Sequence, residues 1–344
     1  MRKHLLWTEN VSEQSLCLHL KTNCTAEDIK EDEDMDKKKI AVIGSYAVGM
    51  TIAGDHFPIP GETVPGHDFV MCHGGKGSNQ AVAAARMGAQ VVYGTCIGND
   101  SFGDGAMKLF EEEGMDATAV RRSETGLSTG VGLVLVNREG ENEIVIDFAA
   151  NKEFSPADVD RMVPALKECK LLLMQLESSM ETVEYAAAKC KELGIAFVLN
   201  PAPYSPLSDE LLANCTYMTP NQTEARLILG LASDDPRPDE EVARMLSDKG
   251  VKNVIMTLGH DGCYIKTADL DKKVAGFTVE AVDTTGAGDT FTGAFCVAIA
   301  EGKDIIDAVQ FGNAAAGLSV TKYGVIESIP SRKEAEQLIQ EKKV

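Results

Sequence analysis

From residue 40 onward, short apolar runs alternate with longer stretches whose apolar positions recur at helical spacing. Leu171 to Leu176, Ile195 to Leu199, Tyr217 to Met218 and Val254 to Thr257 are short, mostly apolar runs, as expected of strands buried on both faces. Between them, Met180 to Leu193, Glu224 to Leu231 and Glu240 to Lys249 carry apolar residues at the period of a helix. This alternation predicts an α/β fold with a central, mostly parallel sheet flanked by helices. Two stretches break the pattern, Met50 to Met71 and Thr129 to Phe148. In the second, Val131, Leu133 and Leu135, then Ile144, Ile146 and Phe148, alternate around a polar turn. Antiparallel hairpins are expected there, inserted at about 48–72 and 127–150 and forming a small antiparallel β lid.

The chain has 344 residues, a length that suggests about two ordinary domains. The lid reading narrows this to one large domain, 37–340, carrying two insertions. Residues 1–36 differ: they hold the single Trp and the acidic run Glu31 to Asp34, and we expect a disordered extension with Met35 as the translation start. The formal charge of −20 disfavours nucleic acid as a partner. Nine scattered cysteines without zinc-type spacing fit reduced thiols in the cytoplasm. No apolar run is long enough to span a membrane.

Several motifs fail their context tests. Gly44 to Gly49 is not a dinucleotide-binding glycine pattern, and no phosphate-binding P-loop is present. Gly126 to Gly130 matches G-x-S-x-G but runs into a strand-like segment where a nucleophile elbow needs a helix. The six histidines show no metal-ligand spacing. The informative segment is Asp283 to Phe291, DTTGAGDTF. Its small residues lead into the helical pattern Phe291 to Ile299, exposing free amides at a helix N-terminus that suits a phosphate. Asp289 beside such a site is a poor phosphate ligand but fits a general base for an attacking hydroxyl. An isolated Asp here would be an ordinary N-cap; its company argues otherwise.

That company is His73-Gly74-Gly75-Lys76-Gly77-Ser78-Asn79-Gln80, Met174 to Glu177, Asn200 to Pro203, Asn221-Gln222-Thr223-Glu224 and Thr257-Leu258-Gly259. In this order, over about residues 38–340, the chain resembles the ribokinase family of sugar kinases, of the phosphofructokinase-B type. The resemblance implies a ribokinase-like fold and an ATP-dependent phosphotransferase, with Asp289 as catalytic base and Gly286, Ala287 and Gly288 as anion hole. It implies sugar contacts from Gly74, Gly75, Lys76, Asn79, Glu177 and Asp289. It implies ATP contacts from Asn221, Thr257, Gly259, Gly262, Gly288 and Asn313, and Mg²⁺ held through water by Glu224. Asp283, Thr285, Ser319, Lys322, Gly324 and Ser328 match a loop pair that binds a monovalent cation, K⁺. The lid matches the dimer contact of ribokinases, implying a homodimer.

One departure bears on the substrate. Family members carry Asn and Asp, two residues apart, where this chain has Ala47 and Gly49, so two hydrogen bonds to sugar hydroxyls are missing. Losing both costs on the order of 3 kcal/mol, about a hundredfold in binding. Tyr46, Asp55, His56 and His73 are candidates to replace them. D-ribose is the leading substrate, with another pentose, another sugar or a nucleoside as alternatives; Phe57, Phe69 and Phe148 offer stacking for a base. Met50 to Met71 contains no Arg or Lys, which disfavours a hexose phosphate. A catalytically idle sugar- or nucleotide-binding regulator is the alternative of another class, opposed by the intact Asp289 and Glu224.

Overall fold

The computed structural model describes residues 38–342, so the extension 1–36 and the start at Met35 lie outside the described residues. In chain order the strands are β1 (Lys39–Ile43), β2 (Ala47–Gly54), β3 (Gly66–Gly74), β4 (Gln90–Ile97), β5 (Asp116–Arg122), β6 (Gly130–Val136) and β7 (Asn142–Asp147). Then follow β8 (Leu171–Met174), β9 (Ala196–Leu199), β10 (Tyr217–Met218), β11 (Val254–Thr257), β12 (Cys263–Lys266) and β13 (Asp271–Val274). Nine of them form one sheet in the order β13-β12-β11-β10-β9-β8-β1-β4-β5. From β5 to β11 every pairing is parallel, and the β12–β13 hairpin closes one edge antiparallel.

The helices are α1 (Lys76–Arg86), α2 (Ser101–Glu112), α3 (Pro156–Leu166), α4 (Met180–Leu193), α5 (Asp209–Asn214), α6 (Gln222–Ile228), α7 (Asp239–Asp248), α8 (Ala287–Ala300), α9 (Ile305–Ser319) and α10 (Arg332–Lys342). They cover both faces of the sheet, which is why its strands read as unbroken apolar runs. Ile40 and Val42 of β1 point into a core shared with α1, α8 and α9, whereas Ala41 and Ile43 point into one shared with α3, α4 and α7. Among the described residues no helix is long and apolar enough to cross a membrane.

The other four strands make a separate small sheet, β3-β2-β6-β7. It consists of two antiparallel hairpins, β2–β3 and β6–β7, joined through a parallel β2–β6 pair. The hairpins are far apart in sequence, so no tight turn dictates the direction of the joining pair. The sheet leaves Phe69, Val70, Met71, Leu133, Ile144, Val145 and Ile146 exposed.

Helix α1 is set by glycine and alanine. A Cβ on Gly77 would lie 2.4 Å from the carbonyl carbon of Gly44, and one on Gly293 of α8 would lie 2.7 Å from Cβ of Ala83. The N-terminus of α1 therefore sits directly on the end of β1, with α8 packed against its alanine face. Gly77→Ala should lower stability by about 1–3 kcal/mol or more through overpacking of backbone on backbone. A denaturation midpoint equal to that of the parent would contradict this packing.

Candidate active site

Helix α8 starts from a turn whose cap, Gly286, has φ 76°, and a Cβ there would lie 2.6 Å from Cγ1 of Val325. Glycine alone meets both conditions. Gly286 and Gly288 line a cavity of about 180 Å³ together with Lys76, Asn200, Thr219, Glu224 and Asp289. The first amides of a helix have no acceptor within it, so this turn offers donors to the cavity. The Ala287 amide is turned instead to the Thr284 carbonyl, at 3.3 Å.

Asp289 is only 6% exposed and lies in the first turn of α8. Its Oδ2 accepts from Asn79 Nδ2 at 2.9 Å and its Oδ1 from Gln80 Nε2 at 2.8 Å. These amides and the positive end of the helix dipole offset the loss of water around the carboxylate. Asn79 Oδ1 is buried without a partner among the described residues. Gly75, at the start of α1 with φ 96°, lies so close to β2 that a Cβ would be 2.9 Å from the Ala47 nitrogen. That contact seats Gly74 and Gly75 beside the root of the small sheet.

Lys76 is the cation among three acids. The charge of Asp289, reinforced by Glu177 and Glu224, holds its ammonium pKa above the ordinary value against desolvation. Glu177 accepts from the Lys76 amide at 2.9 Å and from the Ser45 hydroxyl, yet burial pushes its carboxyl up. Burial does the same to Glu224. Glu224 forms a reciprocal cap with Asn221: its Oε2 accepts from the Asn221 amide at 2.9 Å and its own amide donates to Asn221 Oδ1 at 2.8 Å. The Glu224 side chain also lines the cavity.

Thr257, at the end of β11, also lines this cavity. Gly259 and Gly262 shape the next turn with φ 59° and 94°. Gly262 and Asn313 are not in the first cavity. Asn313 Nδ2 donates to the Ala275 carbonyl at 3.2 Å, and the adjoining segment 275–278 lines a second cavity of about 230 Å³ with Gln310 and α10. The loop pair also meets: the Val282 and Asp283 amides donate to the Val320 carbonyl at 2.7 and 3.1 Å, and the Thr285 and Gly324 amides donate to the Asp283 carboxylate. The Ser319 hydroxyl donates to the Ala316 carbonyl of the last turn of α9 and the Ser328 hydroxyl to the Val325 carbonyl, while Lys322 Nζ turns away to Glu334.

At the root of the small sheet, Ala47 pairs with Gly74 and Gly49 with Cys72, whose Sγ would be 3.1 Å from a Cβ on Gly49. Tyr46 is buried and its hydroxyl meets His73 Nδ1 at 2.6 Å. Asp55 and His56 lie beyond the far end of β2, paired with Arg138 and Glu62. Of the four candidates for replacing the lost sugar contacts, Tyr46 and His73 alone are near Gly74 and Gly75.

The profile of the pfkB family of carbohydrate kinases matches residues 37–332. The chain belongs to that family. This pfkB kinase is 40% identical to a ribokinase of Haemophilus influenzae over 304 residues, spanning 88% of this chain and 99% of that one. It is 39% identical to a deoxyribokinase of Salmonella typhi, over 85% and 95% of the two chains. A solved ribokinase of Arabidopsis thaliana, complexed with ribose and ATP, superposes with a TM-score of 0.81 at 28% identity, over 88% and 99%. As a pfkB member the chain is an ATP-dependent phosphotransferase acting on a sugar hydroxyl.

Sequence reasoning did not single out Gln80, Asn200 or Thr219 as site residues, although the first two stood inside quoted segments. The available signal was a polar residue immediately after each buried strand: Asn200 follows β9, and Thr219 follows β10.

Because the folded-state pKa of Glu177 is raised, its ionisation opposes folding, and the penalty grows as pH rises through that pKa. Glu177→Gln in this pfkB kinase should therefore raise Tm at pH 7, with the gain shrinking as pH falls toward 4. A lower Tm at pH 7, or a gain that widens in acid, would contradict this sign.

Proposed function

We propose that this pfkB kinase transfers the γ-phosphoryl group of ATP to a primary hydroxyl of D-ribose, with Asp289 as the general base. The carrying observation is the buried Asp289 carboxylate, held by Asn79 and Gln80 beside the Gly286 and Gly288 turn. A sugar hydroxyl placed against Asp289 gives its proton to the carboxylate as its oxygen attacks the γ-phosphorus. The turn's amides then hold the charge that develops on the transferring oxygens. Asn79 Oδ1, with no partner of its own, is an acceptor for a second hydroxyl, with Glu177 and the backbone of Gly74 and Gly75 next to it.

Nucleotide contacts are assigned to Asn221, Thr257 and Gly288, which line the first cavity, and to Gly259 in the turn that follows β11. The second cavity, beside Asn313, has the peptide and aromatic lining to receive the base. Glu224, a half-buried carboxylate with one oxygen committed to its cap, suits Mg²⁺ held through water, which would neutralise phosphate charge. The 283–285 and 319–328 loops offer the Asp283 carboxylate, hydroxyl oxygens and carbonyls, an oxygen set that fits K⁺. The exposed apolar residues of the small sheet favour a homodimer through it. Cytoplasmic location and the absence of nucleic-acid and membrane partners complete the reading.

Ribose stands first because Lys76, Asn79 and Glu177 are all in place. One observation favours a bulkier acceptor such as a nucleoside: Gly49 pairs with Gly132, leaving adjacent strands of the small sheet bare of side chains. A coupled assay over ribose, its epimers, 2-deoxyribose, fructose and nucleosides separates them, with the highest kcat/KM expected for ribose; a nucleoside exceeding it would replace ribose. Asp289→Asn should lower kcat by about 10²- to 10⁴-fold with Tm little changed. A variant that keeps near-parent kcat would remove Asp289 from the role of base.

A further inference from the structure

The geometry points to Gln80 as the positioning residue that fixes the Asp289 carboxylate, through a buried chain of amides and hydroxyls built on the ends of three neighbouring strands. The inference rests on the reading of Asp289 as base and adds to it what holds that base in place.

Strands β8, β9 and β10 are adjacent, and the residue that follows each is polar and buried: Gln175, Asn200 and Thr219, at 0%, 6% and 1% exposure. Gln80, at the start of the second turn of α1, is fully buried above them. Gln175 Nε2 donates to Gln80 Oε1 at 2.6 Å. Gln80 Nε2 then donates twice, to Asp289 Oδ1 at 2.8 Å and to Asn200 Oδ1 at 3.0 Å. Asn200 Nδ2 donates to the Thr219 carbonyl at 2.8 Å. Thr219 Oγ1 meets Thr292 Oγ1 at 3.2 Å, and Thr292 donates to the carbonyl of Gly288 at 2.8 Å.

The orientation of this chain is dictated from one end. An ionised carboxylate only accepts, so Gln80 must turn its NH₂ toward Asp289. That choice leaves Gln80 Oε1 for Gln175 and the second N–H for Asn200, so Asn200 must present its oxygen to Gln80 and its NH₂ to Thr219. A flipped Gln80 would set its oxygen against both the carboxylate and Asn200 Oδ1. Because Thr292 spends its proton on Gly288, Thr219 supplies the one between the two hydroxyls. The chain thus begins at the base and ends on the carbonyl of Gly288 in the phosphate-binding turn. Base and turn are keyed to the same rigid strand ends, and the separation between the attacking hydroxyl and the transferred group is set by the sheet.

A residue acting in this way should matter to the chemical step and act only through Asp289. Gln80→Leu is expected to lower kcat by about ten- to a hundredfold, the worth of a hydrogen bond to a charged group, with KM for ATP near the parent value. In the Asp289→Asn background the same substitution should cause little further loss, because the coupled partner is already gone. Gln175→Leu opens the same buried chain two hydrogen bonds from Asp289, so it should lower Tm with a smaller loss of kcat. If Gln80→Leu does not fold, Gln80→Glu keeps the volume and removes the donors, and is read in the same way. A parent-like kcat for Gln80→Leu would overturn the inference. So would an equal fold-loss in the Asp289→Asn background, or a loss in Gln175→Leu as large as in Gln80→Leu. A parent-like kcat for Asp289→Asn by itself would overturn the general-base reading, a separate result.

Discussion

Helix α1 crosses the end of β1, and packs on α8, at distances where no side chain fits between the backbones. A Cβ on Gly77 or on Gly293 would lie within 2.7 Å of a neighbouring atom, and the alanines of α1 fill the rest of the contact. This close approach brings Asn79 and Gln80, from the start of α1, within hydrogen-bonding distance of Asp289, from the start of α8. Two helix N-termini converge at the carboxyl ends of parallel strands, where α/β folds bind their ligands. Wider packing by one methyl group on either helix would separate the base from the donors that hold it.

The same convergence concentrates negative charge. Asp289, Glu177 and Glu224 share the neighbourhood of the Lys76 ammonium, and burial raises the pKa of both glutamates. A protein with a formal charge of −20 has no general positive field to attract a nucleotide. On the proposed reading, binding comes from local devices: the amides of the Gly286 turn, the Lys76 ammonium, and cations accepted by the carboxylates. A charge-poor, donor-rich turn beside an under-compensated carboxylate cluster is well suited to a metal–phosphate complex and poorly suited to free phosphate.

The alternation of apolar runs made the main sheet and its helices legible, because strands buried on both faces and amphipathic helices write different periods into the chain. Strands β8, β9, β10 and β11 lie within the runs read for them. The β12–β13 hairpin was not read, since Cys263–Lys266 and Asp271–Val274 are short and partly polar, and their place comes from pairing to β11. Asp289 and the glycine turn stood out because free amides followed by a carboxylate have a chemical meaning on their own. The Gln175–Gln80–Asn200 chain did not, because buried amides look like any polar residue in sequence; only the fold brings three strand ends and two helix starts together.

On the proposed reading, the cavity is an anionic scaffold that takes ATP only together with a divalent cation held at Glu224. Calorimetric titration of ATP into the parent and into Glu224→Gln, each with Mg²⁺ and with chelator, tests it most directly. Chelation should weaken ATP binding to the parent by about tenfold or more, and the effect should shrink in Glu224→Gln. Equal affinity for ATP in the parent with and without the cation would contradict the account.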